Sequence, residues 1–390
     1  MKSSFVTVEG KSKSYYIMVA ILAILAVGGL VGFIIAYVEG HQMFGSSNVI
    51  PWGMPIVLTI YLIGLSAGSL ILSSLTYVFG REEYRPIARM AVFLAIVLIL
   101  GAMLSIAVDL GRPEKFWRLF MFFYLNNMTS MFAINGILYG GYFVISLVYL
   151  GFIFANQPKV IRIMGIIAVG WAVLVHMGTG AIFGFIATRE CWESPIKPFE
   201  FLACALASGM AFLIVMVIFT LKFSGRDVKR EMITSLGTLL SVFIIILLGL
   251  IFIDKLTHFY HPARGAATFM LAGPYSWMFW GLQEGMGAFI PLAILFHPRL
   301  RKTIGGVFAA ALSVVIGIFF ERYFLVIPCA AYPMPYYPGK IEGVWGALAS
   351  FPLTPCEIAL SVGIVAILGL LYIFGLKYLE LLPAKESQVD

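Results

Sequence analysis

This chain is poor in charge. Asp, Glu, Lys and Arg make up 12% of its 390 residues, about half the share of an ordinary soluble domain, whereas 61% are hydrophobic and the mean hydropathy is +0.98. A water-soluble fold is excluded. Cysteine is scarcer still: Cys191, Cys204, Cys329 and Cys356 form no C-x-x-C and no close Cys/His clustering, so no metal site and no iron–sulfur cluster is expected in this chain. Of five histidines, only His176 falls inside an apolar stretch. His41, His258, His261 and His297 are placed in connectors, so the pair that a b-type haem needs between helices is missing, and no haem is expected. Absent too is any basic block. The net charge of +7 is scattered through short loops, which reflects membrane topology rather than nucleic-acid binding.

What remains is apolar sequence in helix-length pieces. A spanning helix needs about 20 residues, and ten stretches qualify: 16–38, 54–79, 87–108, 129–154, 163–185, 200–221, 233–253, 275–295, 303–326 and 357–377. The first follows Lys2, Lys11 and Lys13 like a signal peptide, but it continues to about Tyr37 without a small-residue cleavage site and is read as an uncleaved helix. The fold class is an all-α polytopic membrane protein forming one integral membrane domain. Seventeen Lys/Arg fall in the segments that share a side with the termini and nine in the others, which places both termini in the cytoplasm. The outer connectors 39–53, 109–128, 186–199, 254–274 and 327–356 are longer and richer in Trp, Tyr, His, Pro and Gly, so chemistry and partner contacts are expected there.

A weak duplication is visible. Gly64-Leu-Ser-Ala-Gly-Ser69 in the second span resembles Ala205-Leu-Ala-Ser-Gly-Met210 in the sixth, and the third and seventh spans both end on an aspartate, Asp109 and Asp254. Two four-helix bundles follow from this, 54–185 and 200–326, flanked by an extra helix at each end, 16–38 and 357–377. Chance likeness between small-residue packing faces is the competing explanation.

An ionisable side chain in hydrocarbon needs a partner, a water-filled cavity or a task. His176 and Glu284 lie within spans, while Asp109, Arg112, Glu200, Asp254, Glu321, Arg322 and Glu357 crowd the outer ends. In Asp109-Leu-Gly-Arg-Pro113, Arg112 is in reach of Asp109 and Pro113 stops the helix, which suits either a relay or a capping turn with an ion pair. The glycines after His176 leave room for a flat ring or for a neighbouring helix. Glu284 lies among Trp280, Gly281, Gly285 and Gly287, where a carboxyl is protonated, paired or part of a proton path. His258-x-x-His261 suits a metal or a partner's haem, or is simply a solvated loop.

At these residues the sequence resembles the NrfD/PsrC family of integral membrane subunits, in its ten-helix branch with the HybB, HmcC and DsrP subunits. The likeness rests on Pro51-Trp-Gly53, Gly64–Ser69, Asp109–Pro113, His176 with its glycines, Trp192-Glu-Ser-Pro195, Arg322 and Pro355-Cys-Glu357. The run Arg85-Pro-Ile-Ala-Arg89 and the length are most similar to the DsrP-like members, linked to sulfur metabolism. The resemblance implies a subunit without haem or cluster of its own, exchanging electrons between menaquinone or menaquinol and a ferredoxin-like iron–sulfur subunit on the outer face. A multihaem cytochrome c and further membrane subunits are possible partners in the same complex of a prokaryotic cytoplasmic membrane. In that setting His176, Asp109 and Arg112 are the catalytic candidates. His176, Gly180, Trp192, Arg322 and Asn127 are the quinone-binding candidates, and Glu284 and Asp254 the proton path. A secondary transporter and a passive anchor are the alternatives. Orientation is testable directly: a fluorescent protein fused after residue 390 is expected to fluoresce and alkaline phosphatase fused there to stay inactive, and the reverse pattern would move the proposed chemistry to the cytoplasmic side.

Overall fold

A chain this apolar crosses hydrocarbon only by pairing its backbone groups within each segment. The computed structural model describes residues 5–118, 121, 127–260, 264–333 and 348–384, and within them ten helices are long and apolar enough to span. They are α1 (Lys13–Glu39), α2 (Met54–Tyr77), α3 (Arg85–Asp109), α4 (Met131–Phe154) and α5 (Pro158–Gly184). The second half holds α6 (Lys197–Phe223), α7 (Arg230–Tyr260), α8 (Met278–Phe296), α9 (Ile304–Ala331) and α10 (Pro355–Tyr378). Local chemistry sets their starts. Ser12 accepts from the Tyr15 N–H, and Thr354 with Glu357 forms a capping box on α10. Pro55, Pro86, Pro158, Pro198 and Pro355 sit in first turns, where no N–H partner is lost.

Two helices differ from the sequence expectation at their ends. α7 runs on to Tyr260 rather than stopping near 253, so His258, expected in a connector, lies in its last turn; its would-be companion His261 is outside the described residues. α9 continues through Pro328 to Ala331. For α7, hydropathy ends the helix too early because it reads Asp254-Lys255 as an exit, when each charge is in fact neutralised by the other and by α6.

Small residues decide which helices touch. α2 packs on α3 and α5, α3 on α4 and α4 on α5; in the second half α6 packs on α7 and α9, and α8 on α9. The halves join where α2 crosses α6, α5 packs on α6 and α9 packs on α2. A Cβ on Gly68 would lie 2.5 Å from Gly209 Cα, and one on Gly209 equally close to Gly68, so the two similar six-residue runs seen in the sequence face each other at the centre. α8 meets α9 in the same way at Gly287 and Gly317. The flanking helices come from opposite ends of the sequence yet pack on each other, Gly29 against Gly363, and α10 leans on α3. Phe5–Val6 pairs antiparallel with Leu382–Pro383, and Arg89 fastens this pairing with its guanidinium 4.0 Å from the Phe5 ring centre and a bond to the Glu380 carbonyl at 3.1 Å.

Because even a methyl at the α2–α6 crossing meets backbone, Gly68→Ala is expected to lower stability by about 1–3 kcal/mol. Gly28→Ala, where a Cβ meets nothing within 4 Å, is expected to be neutral; thermal unfolding in detergent compares the two.

Candidate functional site

The first turn of α6 places Lys197 and Glu200 three residues apart on one face. Lys197 Nζ donates to Glu200 Oε2 at 2.9 Å and to Asp254 Oδ2 at 3.1 Å, and Lys255 Nζ donates to the same Asp254 oxygen at 2.9 Å. Lys197 is 2% exposed and Asp254 is fully buried. Two cations face two carboxylates, which is the balance that allows such groups to leave water together. Asp254 Oδ1 has no hydrogen-bond partner.

Beside this quartet α9 contributes Glu321 and Arg322. Arg322 is 1% exposed and stacks on Phe201 with its guanidinium carbon 3.8 Å from the ring centre. Its Nε lies 3.1 Å from Glu321 Oε2, near enough for an ion pair but misaligned for a hydrogen bond, and neither Nε nor Nη1 has an acceptor. Cys204 Sγ approaches the same Glu321 oxygen at 3.7 Å. From α8, Glu284 is buried and accepts from Gln283 Nε2 at 3.0 Å. Its stretch, Met278–Phe289, is π-helical, a wide winding that is rare overall and frequent at functional sites. Glu284 interacts electrostatically with Lys255, Glu200 and Glu321, so six charged side chains from three other helices form one neighbourhood with it.

The two buried histidines share a design. His176 Nδ1 meets the Ala172 carbonyl at 2.6 Å and its Nε2 the Ile63 carbonyl at 2.9 Å. His258 Nδ1 meets the Asp254 carbonyl at 2.8 Å and its Nε2 the Glu190 carbonyl at 3.1 Å. Carbonyls only accept, and a neutral imidazole has one N–H, so each ring donates to one of its two carbonyls and rests against the other. Each ring bridges its own helix to another segment and leaves no nitrogen facing open space.

Several expected site residues are used otherwise. Gly180 is not beside a ring-sized gap: a Cβ there would lie 2.7 Å from the Lys197 carbonyl and from Pro198 Cα, and Gly178 faces Asn135 in the same way. The glycines after His176 serve close helix approach. Among the described residues Asp109 and Arg112 form no ion pair; Arg112 is exposed, and the Asp109 carbonyl accepts from His41 Nε2 at 2.7 Å. Gly111, with φ of 68°, makes the turn between them. Asn127 sits before α4, its Oδ1 accepting from Thr129 at 3.2 Å. Glu357 accepts from the backbone N–H groups of Gly45 and Met54, both at 3.1 Å, a structural duty. Trp192 is buried, stacks on Trp52 at 5.3 Å and donates Nε1 to the Leu325 carbonyl at 2.7 Å.

Sequence reasoning treats Lys197 and Lys255 only as topology charges. Their signal is the spacing Lys197-x-x-Glu200 at a helix start and the doublet Asp254-Lys255, an acid and a base without water. Arg189 is likewise missed; it donates to the Ala330 and Val49 carbonyls at 2.8 and 2.7 Å, and burial lowers its pKa from the usual arginine value. A cavity of about 600 Å³ lies at the other end of α6, lined by Tyr15, Met18, Leu22, Phe219, Phe223 and Tyr372 among others, and none of the expected site residues borders it.

Residues 42–333 match the family model described as polysulphide reductase, NrfD. The chain belongs to the NrfD family. Relatives extend along most of its length. The Hdr-like menaquinol oxidoreductase integral membrane subunit of Archaeoglobus fulgidus is 35% identical over 99% of this chain and 98% of its own. A selenate reductase subunit of Mesobacillus selenatarsenatis is 32% identical over 90% and 91%, and a polysulfide reductase chain of Wolinella succinogenes is 24% identical over 73% and 97%. The match leaves α1 and α10 outside the family model, so the charged cluster of α6 to α9 lies in the part this NrfD protein shares with its family.

Removing one member of a balanced buried set strands the rest. Lys197→Met is expected to destabilise the purified protein by about 3–5 kcal/mol, and Lys197→Met combined with Glu200→Gln by less, since the second change removes one stranded carboxylate; thermal unfolding of the two variants checks this.

Proposed function

We propose that this NrfD-family protein is the quinone-reactive membrane subunit of a respiratory redox complex, passing electrons between menaquinol or menaquinone and a ferredoxin-like iron–sulfur subunit on the outer face. The observation that carries it is Arg322: a buried guanidinium with two N–H positions lacking acceptors, set between a carboxylate and an aromatic wall. A quinone oxygen is an acceptor, and Phe201 under the guanidinium continues through Phe183 to Trp192 as a run of aromatic rings. The names of the Archaeoglobus and Wolinella relatives, a menaquinol oxidoreductase subunit and a polysulfide reductase chain, support the same reading.

Oxidation of a quinol releases two electrons and two protons. The electrons pass to the partner. Arg322 holds the quinone oxygen, and Glu321, misaligned with Arg322 and close to Cys204, receives a proton from it. Glu284 then moves protons towards the inner side through the wide turn of α8, while Lys197, Asp254 and Lys255 keep the cluster's charge balanced. His176, closed on two carbonyls, acts as a positioning residue that ties α5 to α2. Arg112, exposed at the outer end of α3, belongs to the partner-facing surface. The run Arg85–Arg89 supports a DsrP-like member of the family.

The complex purified with its partner is expected to yield menaquinone on solvent extraction. Arg322→Gln is expected to lose that quinone and to lower quinol-coupled turnover by about 10²–10³. Retained quinone with unchanged turnover would remove Arg322 from the site. Glu284→Gln is expected to keep quinone and electron transfer but to abolish coupled proton movement in proteoliposomes; proton movement equal to wild type would make Glu284 a packing residue.

A further inference from the structure

The connector between α5 and α6 docks on the last turns of α9 through three contacts. Arg189 donates to the Ala330 carbonyl, one of the terminal carbonyls a helix leaves unpaired. Trp192 donates to the Leu325 carbonyl. Between these two anchors, Cys191 Sγ and Cys329 Sγ stand 2.7 Å apart. Unbonded carbon atoms rest about 3.5–4.0 Å from one another, and sulfur is larger, so this is too close for two thiols side by side. The flanking hydrogen bonds fix both backbones and leave the sulfurs little freedom to separate. Cys191 is 1% and Cys329 2% exposed. Cys204 and Cys356 are engaged elsewhere, near Glu321 and the Gly32 carbonyl.

We propose that Cys191 and Cys329 form a disulfide that locks this connector onto α9. It lies on the face whose segments carry fewer Lys and Arg, the side read as outer and therefore open to oxidation. Two thiols become one S–S bond with loss of two protons and two electrons. The electron acceptor is an oxidised thiol–disulfide exchange protein of that compartment: one cysteine attacks its disulfide, and the other cysteine then displaces the exchange protein, which leaves as a dithiol. Burial places this step before the connector docks. Afterwards neither sulfur is reachable, and the bond persists. It joins residues 138 apart in sequence, so it restrains a long loop of the unfolded chain, and it holds Trp192 on Trp52 and the start of α6 at the charged cluster. The inference goes beyond the quinone proposal and needs no quinone.

Membranes solubilised in denaturant with an alkylating agent are expected to show two alkylated thiols per chain, and four when a reductant precedes alkylation. Peptide mapping is expected to find Cys191 joined to Cys329 and to place the alkyl groups on Cys204 and Cys356. Four alkylated thiols without reductant, or a linkage through either other cysteine, would overturn the proposal. In the purified complex, Cys191→Ser combined with Cys329→Ser is expected to melt at lower temperature than wild type and to be cleaved faster by protease between 186 and 196; unchanged melting and cleavage would refute the lock.

Discussion

A lysine ammonium held between two carboxylates, away from water, constrains this molecule more than any other single contact. Lys197 fixes the start of α6 against the exit of α7 through Asp254, and Asp254 in turn takes Lys255. Neither lysine is tolerable alone in hydrocarbon, and neither carboxylate is. The helices that carry them therefore come together in one register. That register brings α9 with Glu321 and Arg322, and α8 with Glu284, to the same place. The charged cluster is thus a positional restraint shared by four helices of the second half.

Around it the membrane segments meet by subtraction of side chains. Gly68 and Gly209 allow the central helices of the two halves to approach backbone to backbone, and Gly287 with Gly317 does the same between α8 and α9. The two similar runs in the sequence thus occupy equivalent positions across one crossing. Ionisable groups are unequally distributed across it: the first half presents hydroxyls such as Ser66 bonded to Tyr142 at 3.0 Å, whereas the second holds nearly all the buried charge.

Ten helices were legible in the sequence because 20 apolar residues have few other fates in a chain so poor in charge. Their ends were less so, since hydropathy treats Asp254 and Lys255 as solvated while the fold pairs them. Glu284 could be picked out as an ionisable group deep within a span, and Arg322 by its place in the family resemblance at an outer helix end. The glycines beside His176 misled, because a stripe of small residues reads the same whether it faces a ligand or a helix, and only the position of Lys197 and Pro198 decides. Arg112 misled for another reason: spacing places it within reach of Asp109, but the positive φ of Gly111 turns the chain outward.

The pairing of α1 with α10, sealed by the short β-pairing of the two tails, sets an order on biosynthesis. A ribosome delivers α1 to the membrane before α10. Gly29 and Gly32 must therefore wait in lipid, without their partner, until α10 has been made. A nascent protein truncated before residue 355 would leave that glycine face bare to the quality-control proteases of the bilayer.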